Sequence, residues 1–398
     1  MTVSTDSAQS LQRTALYDLH LGLGAKLVAF AGYELPIQYP LGVLKEHLHT
    51  RQSAGLFDVS HMGQLLITAR SGKLDDAKLA LERLVPADIL SLGRGRQRYS
   101  QLTNDAGGIL DDLMIANLVL SPAITGRAGA MECLYLVVNG ACKAADLAHI
   151  TQHLARDCEI TPLPQRSLLA VQGPMAGAAL AEVFSTPELL TMKFMDNREI
   201  RLGGYDLIVS RSGYTGEDGV EISVASTAAV DLTRKILGDP RILPIGLGAR
   251  DSLRLEAGLC LYGNDIDETI SPVEAGLEWS IQKSRRSGGV RAGGFVGSAV
   301  ILSQLDTTPP RQRVGLQPEG RAPIRGHSPL FATAESNDSV GRVTSGGFGP
   351  TVNAPVAMGL VDSACAALGT RLFAEVRGQR LPVTVVSTSF VEHHYYRQ

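Results

Sequence analysis

The chain has 398 residues, of which 44% are hydrophobic and 19% charged, and a formal net charge of -3. This composition excludes a disordered polypeptide, and a charge so near zero supplies no global field for coating nucleic acid. The length predicts two or three domains rather than one core.

The first fifteen residues, MTVSTDSAQSLQRTA, hold one arginine and no apolar centre. They read as neither a secretory signal nor an Arg-rich transit peptide, and no run approaches the roughly 18 apolar residues of a membrane span. The cytoplasm is the expected location, with the mitochondrial matrix as the alternative for a processed eukaryotic chain; no membrane and no nucleic acid are expected as partners. His47-x-His49 lacks further ligands at metal spacing, so no metal is expected. Gly22-Leu23-Gly24, Gly93-Arg94-Gly95 and Gly246-Leu247-Gly248 each lack the third glycine of a dinucleotide fingerprint, and no Walker A run is present. Neither nicotinamide nor flavin is expected. Five cysteines (Cys133, Cys142, Cys158, Cys260, Cys365) have no CxxC spacing and are odd in number, which argues against disulfide and zinc frameworks.

Strand-like and helix-like segments alternate irregularly, without a steady βαβ beat, and predict an α+β fold. Gly63 to Thr68 reads as a strand. Gly107-Gly108 reads as a turn feeding a mostly buried strand from Ile109 to Ile115. Within it Asp111 and Asp112 must point to opposite faces, so they cannot share one role. If one faces solvent or a turn, the other faces an interior or a cavity, where a carboxylate must be paired, hydrogen-bonded or aimed at a ligand. Two turn-capping carboxylates are the alternative.

Leu134 to Val138, Leu168 to Gln172 and Leu207 to Ser210 are further strands, and Ala144, Leu147, Ile150 and Leu154 mark an amphipathic helix over Lys143 to Arg156. In Ser212 to Ser223, glycines bracket acidic residues before a strand on which Glu221 opposes Val220 and Ile222. Gly248 to Leu259 forms a helix whose Arg250 and Arg254 share a face, where each is either a carboxylate clamp or a helix-surface ion pair. The single Trp279 either packs on a ligand or, as expected, in the core. Gln282 to Gly297 is rich in Gly, Ser and basic residues and reads as a linker or surface loop, with Asp306 to Pro310 close behind. Past Arg313, short β runs at Val314 to Leu316, Ser339 to Thr344, Ala357 to Val361 and Leu381 to Val386 suggest a small barrel or sandwich.

Taken together, these segments resemble the T protein of the glycine cleavage system, a tetrahydrofolate-dependent aminomethyltransferase. The resemblance runs through Thr14 to Tyr17, Phe30 to Tyr33, Gly55 to Met62, Gly107 to Leu113, Ala170 to Pro174, Gly213 to Ser223 and Gly248 to Glu268. Phe57-Asp58-Val59-Ser60-His61-Met62 and Ala249 to Gly258 are its most specific parts.

The resemblance implies a three-domain α+β cloverleaf around a central folate cavity, with a carboxy-terminal β-barrel-like domain. Approximate bounds are 1–60 with 150–265, 61–149 with 266–290, and 300–398. It implies that Asp112 is catalytic while Asp111 is structural, and that Glu221, Arg250 and Tyr395 bind substrate with Tyr214, Tyr99 and Asn139. Tetrahydrofolate is then the co-substrate and lipoylated H protein the partner, with a functional link to the P and L proteins. An aminomethyl group arrives on the lipoyl sulfur; its carbon passes to folate and ammonia leaves. A carboxylate beside the attacking nitrogen would raise its nucleophilicity and stabilise developing positive charge. Lys283, Arg285, Arg286 and Arg291 are a candidate docking patch for the carrier. The iron-sulfur assistance group resembles Lys-Gly-Cys-Tyr-x-Gly, but Arg211 to Gly216 here has no cysteine. Demethylating flavoenzymes carry a dinucleotide fingerprint that is also missing.

Overall fold

The computed structural model describes residues 11–397. The amino-terminal expectation for residues 1–10 lies outside them.

The strand Arg166–Gln172 is buried at every position, as its unbroken Leu168-Leu169-Ala170-Val171 run demands. It is central to a six-stranded sheet in the order Asn197–Leu202, Tyr205–Ser210, Gly219–Ala225, Arg166–Gln172, Ala54–Asp58, Ile242–Pro244. Alternate residues go to alternate layers. Leu169 and Val171 pack with Leu180 and Leu232 of the helices Ala176–Val183 and Ser226–Leu237. Leu168 and Ala170 turn the other way, onto Leu66, Tyr135 and Val137 of a second sheet.

That second sheet runs Arg96–Thr103, Ile109–Leu120, Met131–Val138, Gly63–Ala69, Cys158–Pro162. Its outer face sends Leu65, Leu113 and Leu136 into a core closed by the helices Leu74–Leu81 and Lys143–Leu154. The result is four layers, helix, sheet, sheet, helix. Each fully buried leucine in them contributes roughly 2 kcal/mol of transfer free energy.

The remaining strands close a six-stranded barrel, Arg311–Pro318, Ala354–Asp362, Ser339–Gly349, Pro329–Phe331, Arg371–Val376, Gln379–Val386. The fold is therefore α+β with a carboxy-terminal barrel. Between sheets and barrel, Cys260, Ile266, Ile270 and Leu277 pack Ile109 against Leu360, so the 260–277 segment joins the two bodies.

Three expectations are corrected here. The bound at 149/150 falls inside the helix Lys143–Leu154, whose Ile150 and Leu154 fill the second sheet's core; that helix and Cys158–Pro162 belong with the second sheet. The apolar stripe of this helix does not include Ala144, which is exposed, but it does include Asp146. Finally, of the two readings of Gln282 to Gly297 the surface loop holds and the free linker does not: most of it is irregular and exposed or half-buried, but Phe295 is buried with Ile281 and Ile301, and a helix follows at Ser298–Asp306.

Candidate active site

Gly107-Gly108 builds the approach to the acidic pair. Gly107 has a φ of 84°, which favours glycine, and a Cβ on Gly108 would sit 1.8 Å from the Glu268 carbonyl oxygen. That contact is real packing, because Asn104 Nδ2 donates to the same oxygen at 2.9 Å while the Ile109 amide donates to Asp267 O at 3.1 Å. The segment after Leu259 is thus pinned over the start of the strand Ile109–Leu120.

On that strand Asp111 pairs with Leu102 and Asp112 with Gln101, which puts them on opposite faces. The two environments are unequal, as alternation requires: Asp112 is partly exposed and Asp111 is shut away from solvent. Asp111 is fully buried, accepting from the Asn139 backbone amide at 3.0 Å and from Asn139 Nδ2 at 2.8 Å. Asp112 lies on the face shared with Tyr99 and Met114, and its Oδ1 accepts from the same Asn139 Nδ2 at 2.7 Å. One amide nitrogen thereby spans both acids. Burial first, and then the negative charge of Asp111, push Asp112 up to about 7, against hydrogen bonds from Tyr99 and Asn139. A carboxyl with that value is poised to exchange protons near neutrality.

A small cavity between the two sheets is lined by Gln97, Met114, Tyr135, Asn197, Ser210 and Glu221; Asp112 is not among its lining residues but lies two positions before Met114 on the same face of the strand. Glu221, on the strand Gly219–Ala225, accepts from Ser212 Oγ at 2.9 Å. It is therefore not the exposed strand residue that alternation alone allows. Arg250, on the helix Leu247–Glu256, makes no side-chain hydrogen bond or ion pair among the described residues, and its guanidinium lies over the Tyr214 ring, 4.8 Å from the centroid. Burial lowers its pKa while Tyr214 and Glu221 favour its charge. Tyr214 donates through its hydroxyl to Cys260 O, and its own proton is held by burial and by the charge of Asp112.

Arg254, one turn on, is different. It is 2% exposed and donates to Asp251, Asp265, Leu259 O and Ser345 Oγ, the last at 3.0 Å in the barrel. The ion pair to Asp251 is the one the three-residue spacing allows, and the further bonds to Asp265 and Ser345 make Arg254 a structural tie and not a free clamp. Trp279 also departs from expectation: it is 58% exposed and stacks on Tyr99 with centroids 5.3 Å apart at 23°. Its ring extends the aromatic wall beside Asp112 rather than filling the core.

Tyr395 stands apart from this group. Its ring stacks on Phe194 at 4.2 Å, and the tail carrying it is held by hydrogen bonds from His394 N to Gly216 O and from Phe194 N to Tyr396 O. The docking patch is corrected as well. Arg285 is buried and donates to Glu82 O, Arg286 donates to Ile281 O and Glu278 O, and Arg291 pairs with Glu82 and Asp88. Of the four, Lys283 is the exposed one.

Sequence reasoning passed over two residues. His61 is 5% exposed, with Nδ1 unpartnered among the described residues, and burial and then Arg250 lower it to about 4. Asp146 lies in contact with Asp111. An acid on the otherwise apolar stripe of its helix was the available signal.

A raised carboxyl hydrogen-bonded to Tyr99, a guanidinium set over the Tyr214 ring, and a Tyr99–Trp279 stack gather titratable and aromatic groups around one strand, the clustering that marks a candidate active site. The chain belongs to the glycine cleavage T-protein family: residues 16–285 match the GCVT N-terminal domain and residues 311–392 the glycine cleavage T-protein C-terminal barrel domain. It is 41% identical over 404 residues to the mitochondrial aminomethyltransferase of Dictyostelium discoideum, covering 98% of this chain and 94% of that protein. The corresponding mitochondrial aminomethyltransferase of Flaveria trinervia is 42% identical, with 98% and 92% covered. The crystal structure of the glycine cleavage system aminomethyltransferase T from Bartonella henselae superposes with a TM-score of 0.87 at 42% identity, covering 98% of this chain and all of that one. No helix among the described residues is long and apolar enough to cross a membrane.

Proposed function

We infer that the family activity, aminomethyl transfer in the glycine cleavage system, proceeds in this chain at Asp112. The substrates are an aminomethyl group carried on the dihydrolipoyl arm of H protein and tetrahydrofolate. The products are 5,10-methylenetetrahydrofolate, ammonia and the dihydrolipoyl carrier. The observation that carries the reading is the setting of Asp112, a half-buried carboxyl held by Asn139 and Tyr99 and raised to about 7, with Tyr214 close both to it and to the Arg250 guanidinium.

The residues suit a folate. Arg250 and Glu221 offer one fixed cation and one acceptor, which match the carbonyl and amino edges of a pterin. Tyr99, Tyr214 and Trp279 present ring faces for a flat heterocycle. Bound folate supplies the nucleophilic nitrogens. Asp112, ionised, accepts the proton that the attacking nitrogen sheds, and the Asn139 amide holds its carboxylate in place. Arg250 and Glu221 hold the heterocycle so that this proton lies within reach. Tyr395, stacked on Phe194 apart from this group, is assigned to substrate contact on the family resemblance alone. The reaction runs in whichever compartment, cytoplasm or matrix, holds the lipoylated carrier.

Purified protein mixed with aminomethylated H protein and tetrahydrofolate should release ammonia in step with folate consumption. Folate binding without ammonia release would instead mark a noncatalytic folate module.

A further inference from the structure

Asp146 is the carboxyl group this chemistry leaves unused. It is 3% exposed on the inward stripe of the helix Lys143–Leu154, and its Oδ2 has no hydrogen-bond partner among the described residues. Its carboxyl is in hydrogen-bond contact with that of Asp111, which is itself fully buried. Two carboxyl groups in contact out of water cannot both be ionised, so one holds a proton.

Geometry decides which. Asp111 already accepts two N–H bonds from Asn139, at 3.0 and 2.8 Å, an arrangement that favours a carboxylate. No N–H is donated to the Asp146 side chain among the described residues. Burial and the charges of Asp111 and Asp112 push Asp146 up to about 9. The Asn139 amide then divides its two hydrogens between Asp111 Oδ1 at 2.8 Å and Asp112 Oδ1 at 2.7 Å.

We propose that Asp146 is a positioning residue for the transferase reaction: as a neutral acid it donates to Asp111, keeps that carboxylate ionised, and through Asn139 fixes the orientation and charge environment of Asp112. This inference rests on Asp112 being the proton acceptor. Other titratable groups around the cluster are Cys142 at the start of the same helix, Tyr99 from the neighbouring strand, Tyr214, and Cys260, Tyr262 and Glu268 from the segment pinned over it. Burial pushes both thiols and all three phenols up, so they stay neutral between pH 5 and 9.

Removing the donor with Asp146→Leu leaves Asp111 to take up the proton itself. The negative charge beside Asp112 disappears and its acidity increases. The acid limb of kcat should therefore move down by about one pH unit, with a lower plateau from the weaker base. Asp146→Asn keeps an N–H donor and should restore the parent profile. Asp112→Asn is the control: if it retains full activity, the reading of Asp112 has failed. If it is inactive while Asp146→Leu keeps the parent pH profile, the Asp146 inference alone has failed.

Infrared spectroscopy supplies an answer even if Asp146→Leu does not fold. At pH 8 the parent protein should show a protonated carboxyl stretch that Asp146→Asn lacks. Identical spectra from the two proteins would overturn the proposal.

Discussion

Asp112 combines burial, a like-charged neighbour and a bridging amide, and each predicts a measurable behaviour. Asp112→Asn should lower kcat by about 10²- to 10⁴-fold, the usual range for general base assistance. Asp111→Asn, which touches Asn139 and Asp146 but not the cavity, should lose less than about tenfold above pH 8. Equal losses would mean that the two aspartates share the chemistry. With Asp112 near 7, kcat of the parent should rise with pH through neutrality and then level, since the ionised form is the acceptor.

Stability runs the opposite way. A folded-state pKa raised above the unfolded value favours folding fully below about pH 4, and this contribution is lost as pH climbs through 7. The inactive Asp112→Asn protein should consequently be more stable than the parent at pH 8, by about 1 to 3 kcal/mol in denaturant titrations, and not below pH 4. Strand alternation made the unequal roles of this pair legible in the sequence, and the family resemblance assigned them. Asp146 was not legible that way, because its meaning lies in a neighbour 35 positions away across the layer between helix and sheet.

At the scale of elements, the helix Leu247–Glu256 carries two arginines one turn apart with unrelated duties. Arg254→Leu would leave Asp265 buried without its cation and loosen the contact with Ser345, and should destabilise the protein by about 3 to 5 kcal/mol. Arg250→Ala should change stability by less than about 1 kcal/mol, because its guanidinium makes no hydrogen bond or ion pair and gives up only its place over the Tyr214 ring, while raising KM for folate. The four-residue spacing showed that both lie on one side of a helix. It could not show that the barrel closes over Arg254 while Arg250 is left to the Tyr214 ring, since the first depends on a residue nearly a hundred positions downstream.

The short helical turn Glu278–Ser280 sets Trp279 out against Tyr99, which hydrogen-bonds Asp112. As the chain has a single tryptophan, tetrahydrofolate titrated into the protein should change its intrinsic fluorescence, and Trp279→Phe should abolish the signal while retaining turnover. A titration that leaves emission unchanged would separate Trp279 from the ligand. A large aromatic residue is ordinarily a core candidate, and composition gives no way to tell a wall from a core.

Across the whole molecule, Glu256 ties the parts together. It accepts from His47 Nε2 at 3.0 Å, from Arg51 Nη2 at 3.2 Å and from the Thr351 amide at 2.7 Å in the barrel, while its carbonyl accepts from Phe390 N at 2.8 Å. Burial alone would raise its pKa, yet His47, Thr351 and Arg51 hold it down at about 2. The stability from this depressed group is present above its unfolded value and lost as pH falls toward 2. Glu256→Gln should flatten acid unfolding between pH 4.5 and 2, followed by circular dichroism, and destabilise the protein by about 3 kcal/mol at pH 7. The α+β character and the barrel were legible from strand alternation and turn residues. The layer partners were not, because a buried run such as Leu168 to Val171 reads alike whichever sheet lies on either side.

The strand Ala54–Asp58 has a consequence for how the protein is made. It leaves the ribosome early, yet its antiparallel neighbour Arg166–Gln172 and its parallel neighbour Ile242–Pro244 both come after the whole second sheet has been synthesised. At usual elongation rates, roughly a hundred intervening residues correspond to about 5 to 20 seconds. During that interval an apolar strand, Ala54-Gly55-Leu56-Phe57, waits with both edges unpaired. The second sheet is contiguous from Gly63 to Pro162 and can close first, giving the nascent chain a finished surface onto which the late strands of the first sheet dock.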